Sequence, residues 1–355
     1  MPVPTHKRLA CAQAESAWLD LRAGIEKTKR LIKDAKAQGA DILVLPELWL
    51  PGYPWYLWVL PYAATVPYTL KYQAAGMKVD GPEMKELQQA VKEAGIVLSV
   101  GFAEKRGESL WMANAIIDAN GSLAAIKRKW KPTGVERVIF GDASGDVFNT
   151  VAPTAVGQVG ALMCWEHLIN PLKMHCYQQH ETVHAGSWPP IFPHGGMEHY
   201  GMSYQGIRSI SATYAMEGGA FVAMSTGMVS EAGARQIGLD YAVSGEPLPA
   251  GAFHTIPGGG YATIFGPDGR QLTADLPPSQ EGFVWADLDP TLIKLAKQLV
   301  CPAGHYARPD LAQLIINSEA KEVVTGARSV LGTDGGPTAG LKGQGQLVDD
   351  SEEND

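Results

Sequence analysis

The chain has 355 residues, 45% hydrophobic and 19% charged, enough apolar material for a sizeable core in one large domain or two ordinary ones. Its formal net charge of −8 argues against nucleic acid or an anionic membrane as a main partner, and no apolar run approaches the roughly 18–20 residues that span a bilayer. Four cysteines (Cys11, Cys164, Cys176, Cys301) lie far apart without a CxxC pair, and the N-terminus lacks an export layout, so reduced thiols and a cytoplasmic location are expected.

Arg8 to Gln13 predicts a first strand. Leu21, Ile25, Thr28, Ile32 and Ala35 then fall at helical steps, and Gly39 closes that helix. Ile42 to Leu45 predicts a buried strand ended by Pro46, and strand–helix–strand favours parallel pairing through a right-handed crossover. Glu47 therefore sits at the carboxyl end of a strand, where ligands of α/β sheets collect, although a solvated loop carboxylate is the plainer reading. Trp49, Tyr53, Trp55, Tyr56 and Trp58 put five aromatics in ten residues, broken by Pro51, Gly52 and Pro54. Such a segment either walls an apolar pocket or packs under a long loop.

A polar helix over Glu83–Ala94 and a strand over Ile96–Glu104 follow. Trp111–Asp118 and Leu123–Arg128 predict a hairpin turned at Asn120-Gly121. Four of the five residues from Lys127 to Lys131 are basic, which ordinarily marks a solvated face, and Glu136 with Arg137 reads as a surface ion pair. Val156 to Met163 predicts a buried strand that stops at Cys164, before a helix over Leu168–Tyr177. A cysteine on such a turn sits near backbone N–H groups and the positive end of a helix dipole, both of which favour the thiolate.

Strands over Thr182–Ala185, Ala220–Ser225, Ala252–Ile256, Tyr261–Phe265 and Phe283–Asp287, and a long helix over His199–Met216, complete the reading. Gly258-Gly259-Gly260 precedes a strand and suits a tight turn better than a phosphate loop. His167, His175, His180, His184, His194 and His199 crowd the region of Cys164 and Cys176, but without HExxH or CxxC spacing, so no metal is expected. The division expected is one domain over 1–317 and a Gly-rich, acidic tail over 318–355.

Three fragments, in order, resemble the nitrilases. They are Leu45-Pro46-Glu47 with Gly52-Tyr53-Pro54, Lys127-Arg128-Lys129 with Pro132-Thr133 and Glu136-Arg137, and Cys164-Trp165-Glu166. Gly259-Gly260-Tyr261 and Gly304 to Asp310 match as well, so the resemblance spans roughly residues 8–316. Cys164-Trp165-Glu166-His167 and Trp188-Pro189 resemble most the bacterial branch that acts on arylacetonitriles. The resemblance implies the carbon–nitrogen hydrolase fold, a four-layer α-β-β-α sandwich, with Glu47, Lys129 and Cys164 as a catalytic triad and Glu136 as a second glutamate beside it. It implies a small nitrile as substrate, no cofactor, and a homo-oligomer of dimers that extends into spirals.

In that scheme the Cys164 thiolate attacks the nitrile carbon, Glu47 shuttles protons, Lys129 meets developing negative charge, and Glu136 orients Lys129 or substrate. Tyr53, Trp165 and Trp188 are the candidate substrate contacts. Competing readings are an amidase or carbamoylase, a cyanide-converting relative, and an inactive filament scaffold.

Overall fold

The computed structural model describes residues 6–193, 199–245 and 254–321. In chain order it comprises β1 (Lys7–Glu15), α1 (Leu21–Ala37), β2 (Ile42–Val44), α2 (Tyr56–Val59), α3 (Tyr62–Ala74), α4 (Pro82–Ala94), β3 (Val97–Arg106), β4 (Ser109–Ile117) and β5 (Leu123–Arg128). There follow β6 (Val151–Thr154), β7 (Gly157–Met163), α5 (Asn170–Gln178), β8 (Val183–Trp188), α6 (Tyr204–Gly218), β9 (Phe221–Met228), α7 (Glu231–Gln236), β10 (Thr263–Phe265), β11 (Gly282–Leu288) and α8 (Pro290–Leu299).

Strand pairing runs β5-β4-β3-β2-β1-β9-β8-β7-β6, with β11 also on β1 and β10 also on β9. β1 and β9 meet only between Gln13–Glu15 and Thr226–Met228. About that short seam the strands divide into two halves that face each other. Side-chain alternation shows how: Leu9 and Cys11 of β1 and Ile42 and Val44 of β2 join Val159, Ala161, Val183, Ala185, Phe221 and Ala223 of the other half in one buried cluster. The intervening residues point outward. Ala10, Ala12, Leu43 and Leu98 pack beneath Ile25 and Ile32 of α1 and Leu87 and Val91 of α4. Leu162, Val222 and Met224 pack beneath Leu172 of α5 and Ile207 and Tyr214 of α6. Helices, strands, strands, helices: the fold is the four-layer α-β-β-α sandwich, and residues up to Ala320 form one compact unit.

α1 follows its sequence pattern closely. Asp20 accepts from the Ala23 N–H at 2.9 Å as N-cap, and Ile25, Thr28, Ile32 and Ala35 face the core. Other expectations shift. The long helix starts only at Tyr204, after a single 3-10 turn, and the helix after Cys164 starts at Asn170. His254 to Ile256 is not strand, and Ala252 lies outside the described residues, as does the expected tail from 322 onward. α3, with Pro67 inside it and Tyr62 and Leu70 exposed, was not evident from periodicity. No helix among the described residues is long and apolar enough to cross a membrane.

Candidate active site

The chemistry-bearing side chains gather where strands from both halves end. Glu47 follows β2 and is tied across the sandwich by its N–H to the Trp188 carbonyl at 3.3 Å. The next residue, Leu48, has φ +47°, and Gly101 of β3 leaves room for this bend. A Cβ on Gly101 would lie 2.7 Å from the Pro46 carbonyl oxygen and 3.1 Å from Glu47 Cα. Gly101→Ala is therefore expected to push the Glu47 segment out of place, costing roughly 1–3 kcal/mol by overpacking. Because small misplacements of reacting groups are so costly, turnover should fall by about 100-fold. Paired urea melts and kcat measurements check this, and a variant of unchanged kcat would show that the bend is not needed.

Lys129 leaves the end of β5, its N–H donating to the Met112 carbonyl at 2.8 Å. Its ammonium is buried between two carboxylates, 2.8 Å from Glu47 Oε1 and 2.9 Å from Glu136 Oε2. Glu136 is held further by the Thr133 N–H at 2.6 Å and the Tyr53 hydroxyl at 2.7 Å, itself contacted by Trp58 Nε1 at 3.2 Å. This corrects two sequence readings. Strand alternation turns Lys127 and Lys129 inward, so the basic run is no solvated face. Glu136 is buried with Lys129, while Arg137 donates instead to the Pro132 carbonyl at 3.0 Å.

Cys164 follows β7 with φ +52°, a left-handed conformation that costs an L-residue roughly 1–2 kcal/mol and turns the chain sharply out of the strand. The turn is pinned by Glu166, which the sequence reading did not single out. Its buried carboxylate accepts from Met163 N–H at 2.8 Å, Trp130 N–H at 2.7 Å and Lys127 Nζ at 2.5 and 2.6 Å. One side chain thus fastens the Cys164 turn to the strand end carrying Lys129. The signal was present in sequence: Lys127 lies two residues before Lys129, on the same strand face.

Burial and three charges set the protonation of this group. Burial raises the Glu47 carboxyl, Lys129 opposes that, and Glu136 adds to it, for a value of about 7. Burial alone would lower the Lys129 ammonium, but Glu136 and Glu47 outweigh it and hold the group well above its usual range. The Cys164 thiol is driven well up by burial and by Glu47, with Lys129 opposing. Burial first, and Glu47 second, thus favour a resting thiol over the thiolate expected from the turn. Burial and Glu136 also keep the Tyr53 phenol protonated.

A cavity of about 240 Å³ opens beside Cys164 and Glu136. Tyr53, Trp165 and Trp188 all line it, with Trp55, Trp58 and Phe192 completing an aromatic wall. The aromatic run after Glu47 divides accordingly: Trp49 is instead core, its indole N–H donating to Thr28 Oγ1 at 2.7 Å. Glu47 Oε2 is buried with no hydrogen-bond partner. Among the described residues no three His, Cys, Asp or Glu side chains are grouped to hold a metal ion. His167 and His184 face each other instead, and His194 lies outside the described residues.

Residues 8–298 match the carbon–nitrogen hydrolase family. An arylacetonitrilase of Hypocrea virens is 41% identical over 325 residues, covering 91% of this chain and 95% of that protein. One from Aspergillus kawachii is 42% identical over 320 residues, with 89% and 94% covered. A cyanide hydratase of Armillaria gallica is 39% identical over 320 residues, with 88% and 87% covered. These relatives are fungal, whereas the motifs pointed to a bacterial branch. In fold the chain is similar to an amidase from Nesterenkonia sp., with a TM-score of 0.57 over 84% of this chain and 98% of that one at 16% identity.

Proposed function

The chain belongs to the carbon–nitrogen hydrolase family, and from that membership we propose a nitrilase that converts arylacetonitriles to carboxylic acid and ammonia, with Cys164, Glu47, Lys129 and Glu136 as its working set. The observation that carries this reading is the buried Lys129 bridging Glu47 and Glu136, with Glu136 and Cys164 both on the wall of an aromatic cavity. A dry cavity of about 150 Å³ already binds benzene, so 240 Å³ accommodates an aryl group and a short arm.

The resting thiol defines the first step. As Sγ attacks the nitrile carbon, its proton passes to Glu47, a C–S bond forms, and one C–N π bond breaks. Glu47 then protonates the nitrogen, giving a thioimidate. Glu47 next removes a proton from water, which adds to the same carbon as the remaining C–N π bond breaks, and Glu47 returns that proton to nitrogen. Lys129, held in place by Glu47 and Glu136, supports the charge that develops there. The hydroxyl proton then passes through Glu47 to nitrogen, which leaves as ammonia with C–N cleavage as the thioester carbonyl forms, and a second water cleaves the thioester to release the acid and restore the thiol. Loss of the thiol in place of ammonia yields amide. Glu136 fixes Lys129, and Tyr53 holds Glu136 from the cavity side. Trp165 and Trp188 contact the substrate's apolar part.

The direct test is acid and ammonia release from phenylacetonitrile, with phenylacetamide and hydrogen cyanide in parallel. Turnover of the nitrile supports this reading; turnover of the amide alone, or of cyanide alone, replaces it by the corresponding relative's activity. The pH profile tests the assignment of Glu47. A base acts when deprotonated, so kcat/KM should rise with pH through an apparent value near 7, which belongs to the coupled cluster as a whole. A flat profile from pH 5.5 to 8 would remove Glu47 as base.

The same reading includes a catalytic domain over 1–317 with a tail over 318–355, a cytoplasmic location, and a homo-oligomer of dimers extending into a filament. Exposed Leu292, Leu295 and Leu299 on α8 support a self-contact.

A further inference from the structure

Behind Cys164 lies a chain of buried polar groups that the reaction does not use. The Cys164 carbonyl oxygen is 2.6 Å from His167 Nδ1, His167 Nε2 is 3.0 Å from His184 Nε2, and His184 Nδ1 is 2.6 Å from Glu181 Oε1. The Tyr214 hydroxyl donates to the other Glu181 oxygen at 2.7 Å. His167, His184 and Glu181 are all essentially inaccessible to solvent. The protein makes room for them: a Cβ on Gly160 of β7 would fall 1.8 Å from Glu181 Oε1.

Counting hydrogens across these links gives a definite result. A carbonyl oxygen only accepts, so the first link requires hydrogen on His167 Nδ1. The second and third links require one hydrogen each. Two neutral imidazoles and a carboxylate supply two hydrogens, but three links need three. The third proton also makes the hydrogen-bonded group of Glu181, His184 and His167 electrically neutral, whereas two would leave it with a net negative charge in the core.

We propose that Glu181, His184 and His167 form a positioning relay that stores this third proton, with His184 as imidazolium against the Glu181 carboxylate, and thereby locks the Cys164 carbonyl and the nucleophile's turn. His184 is the ring that touches the only anion of the relay. His167 lies on the side of Lys127 and Lys173, and burial together with His184 holds it well below the usual imidazole range. The two Glu181 oxygens meet His184 and the Tyr214 hydroxyl, with Cys176, Tyr177 and Lys297 the other titratable groups beside it. The stacked contact of His167 on Trp188, 5.1 Å between ring centroids, couples the relay to the cavity wall as well.

This inference rests on Cys164 as nucleophile, but its first test does not use activity. Nitrogen-15 histidine NMR of the unaltered protein at neutral pH should show three ring N–H groups on His167 and His184 together: Nδ1 of His167 and both nitrogens of His184. Two would overturn the proposal. The second test is a double-mutant cycle. Glu181→Gln should lower kcat by roughly 10- to 100-fold with KM little changed, as misplacement of a reacting group does. His167→Asn carries its own donor to the Cys164 carbonyl and needs no proton from His184. It should keep more activity than His167→Ala, and Glu181→Gln should add no further loss to it. An equal loss in both backgrounds, or a lowered melting temperature with unchanged kcat, would reduce the chain to core packing. Activity surviving in Cys164→Ala would instead remove the premise, leaving the N–H count as it stands.

Discussion

Lys129→Met is expected to destabilise the protein strongly and to do so more at alkaline than at acidic pH. The ammonium lies within 2.9 Å of two buried carboxylates, and the methionine fills its volume without its charge. Removing one partner of a buried ion pair costs about 3–5 kcal/mol, because the remaining charges stay uncompensated. Here two carboxylates are left facing each other, so at least one takes up a proton. The sign follows from linkage. Glu47 already stands raised to about 7 from 4.5, and without Lys129 it moves higher still. A carboxyl raised in the folded state binds protons more tightly there than when unfolded, so stability is lost as pH climbs from about 4.5 through the folded value. Urea melts at pH 5.5 and 8 should therefore show the larger deficit at pH 8. Equal deficits would mean that the carboxylates are neutralised by something other than Lys129. Turnover should fall by at least 10²–10³-fold, the usual loss when a preorganised group facing developing charge is removed.

Cys164→Ala is expected to abolish nitrile hydrolysis, by roughly 10⁴-fold or more, while the fold persists. Alanine keeps the Cβ and accepts the same φ of +52° at the same cost as cysteine, and Glu166 still binds the turn through backbone N–H groups. Cys164→Ser should be nearly as inactive. The native thiol is itself held protonated by burial and by Glu47, and a hydroxyl is a far weaker acid than a thiol. Glu47, near 7, is basic enough to assist a thiol but not an alcohol. Initial rates with phenylacetonitrile, alongside melting temperature, separate chemistry from folding. Acid formation retained by the alanine variant would assign the nucleophile elsewhere.

Much of the fold could be read from the chain because single elements advertise their own burial. The helical steps from Leu21 to Ala35 and the apolar runs of β2, β3 and β7 each face a core, and the chain preserves that period. The stacking of two strand layers was accessible only through resemblance, since Leu9 and Val159 meet by tertiary packing that no local pattern encodes. α3 escaped notice because Pro67 and its exposed apolar residues blur the helical stripe. The site was legible as residue types but not as electrostatics. Lys127 and Lys129 looked solvated because they lie in a basic run, and only the pairing of β5 turns both inward onto Glu166, Glu47 and Glu136. The Cys164 thiol was misjudged for the same reason: the turn was visible, whereas its burial and the carboxylate beside it were not.

Glu47 and Lys129 hang from one half of the sandwich and Cys164 and Trp188 from the other, joined by the Glu47–Trp188 and Glu166 hydrogen bonds. Turnover is consequently a late reporter of folding. A refolding chain with each strand layer formed but not yet docked would show its ellipticity and remain silent towards substrate. Conversely, mild urea or pressure that loosens the contact between layers should extinguish catalysis while the spectrum of secondary structure is still that of the native protein.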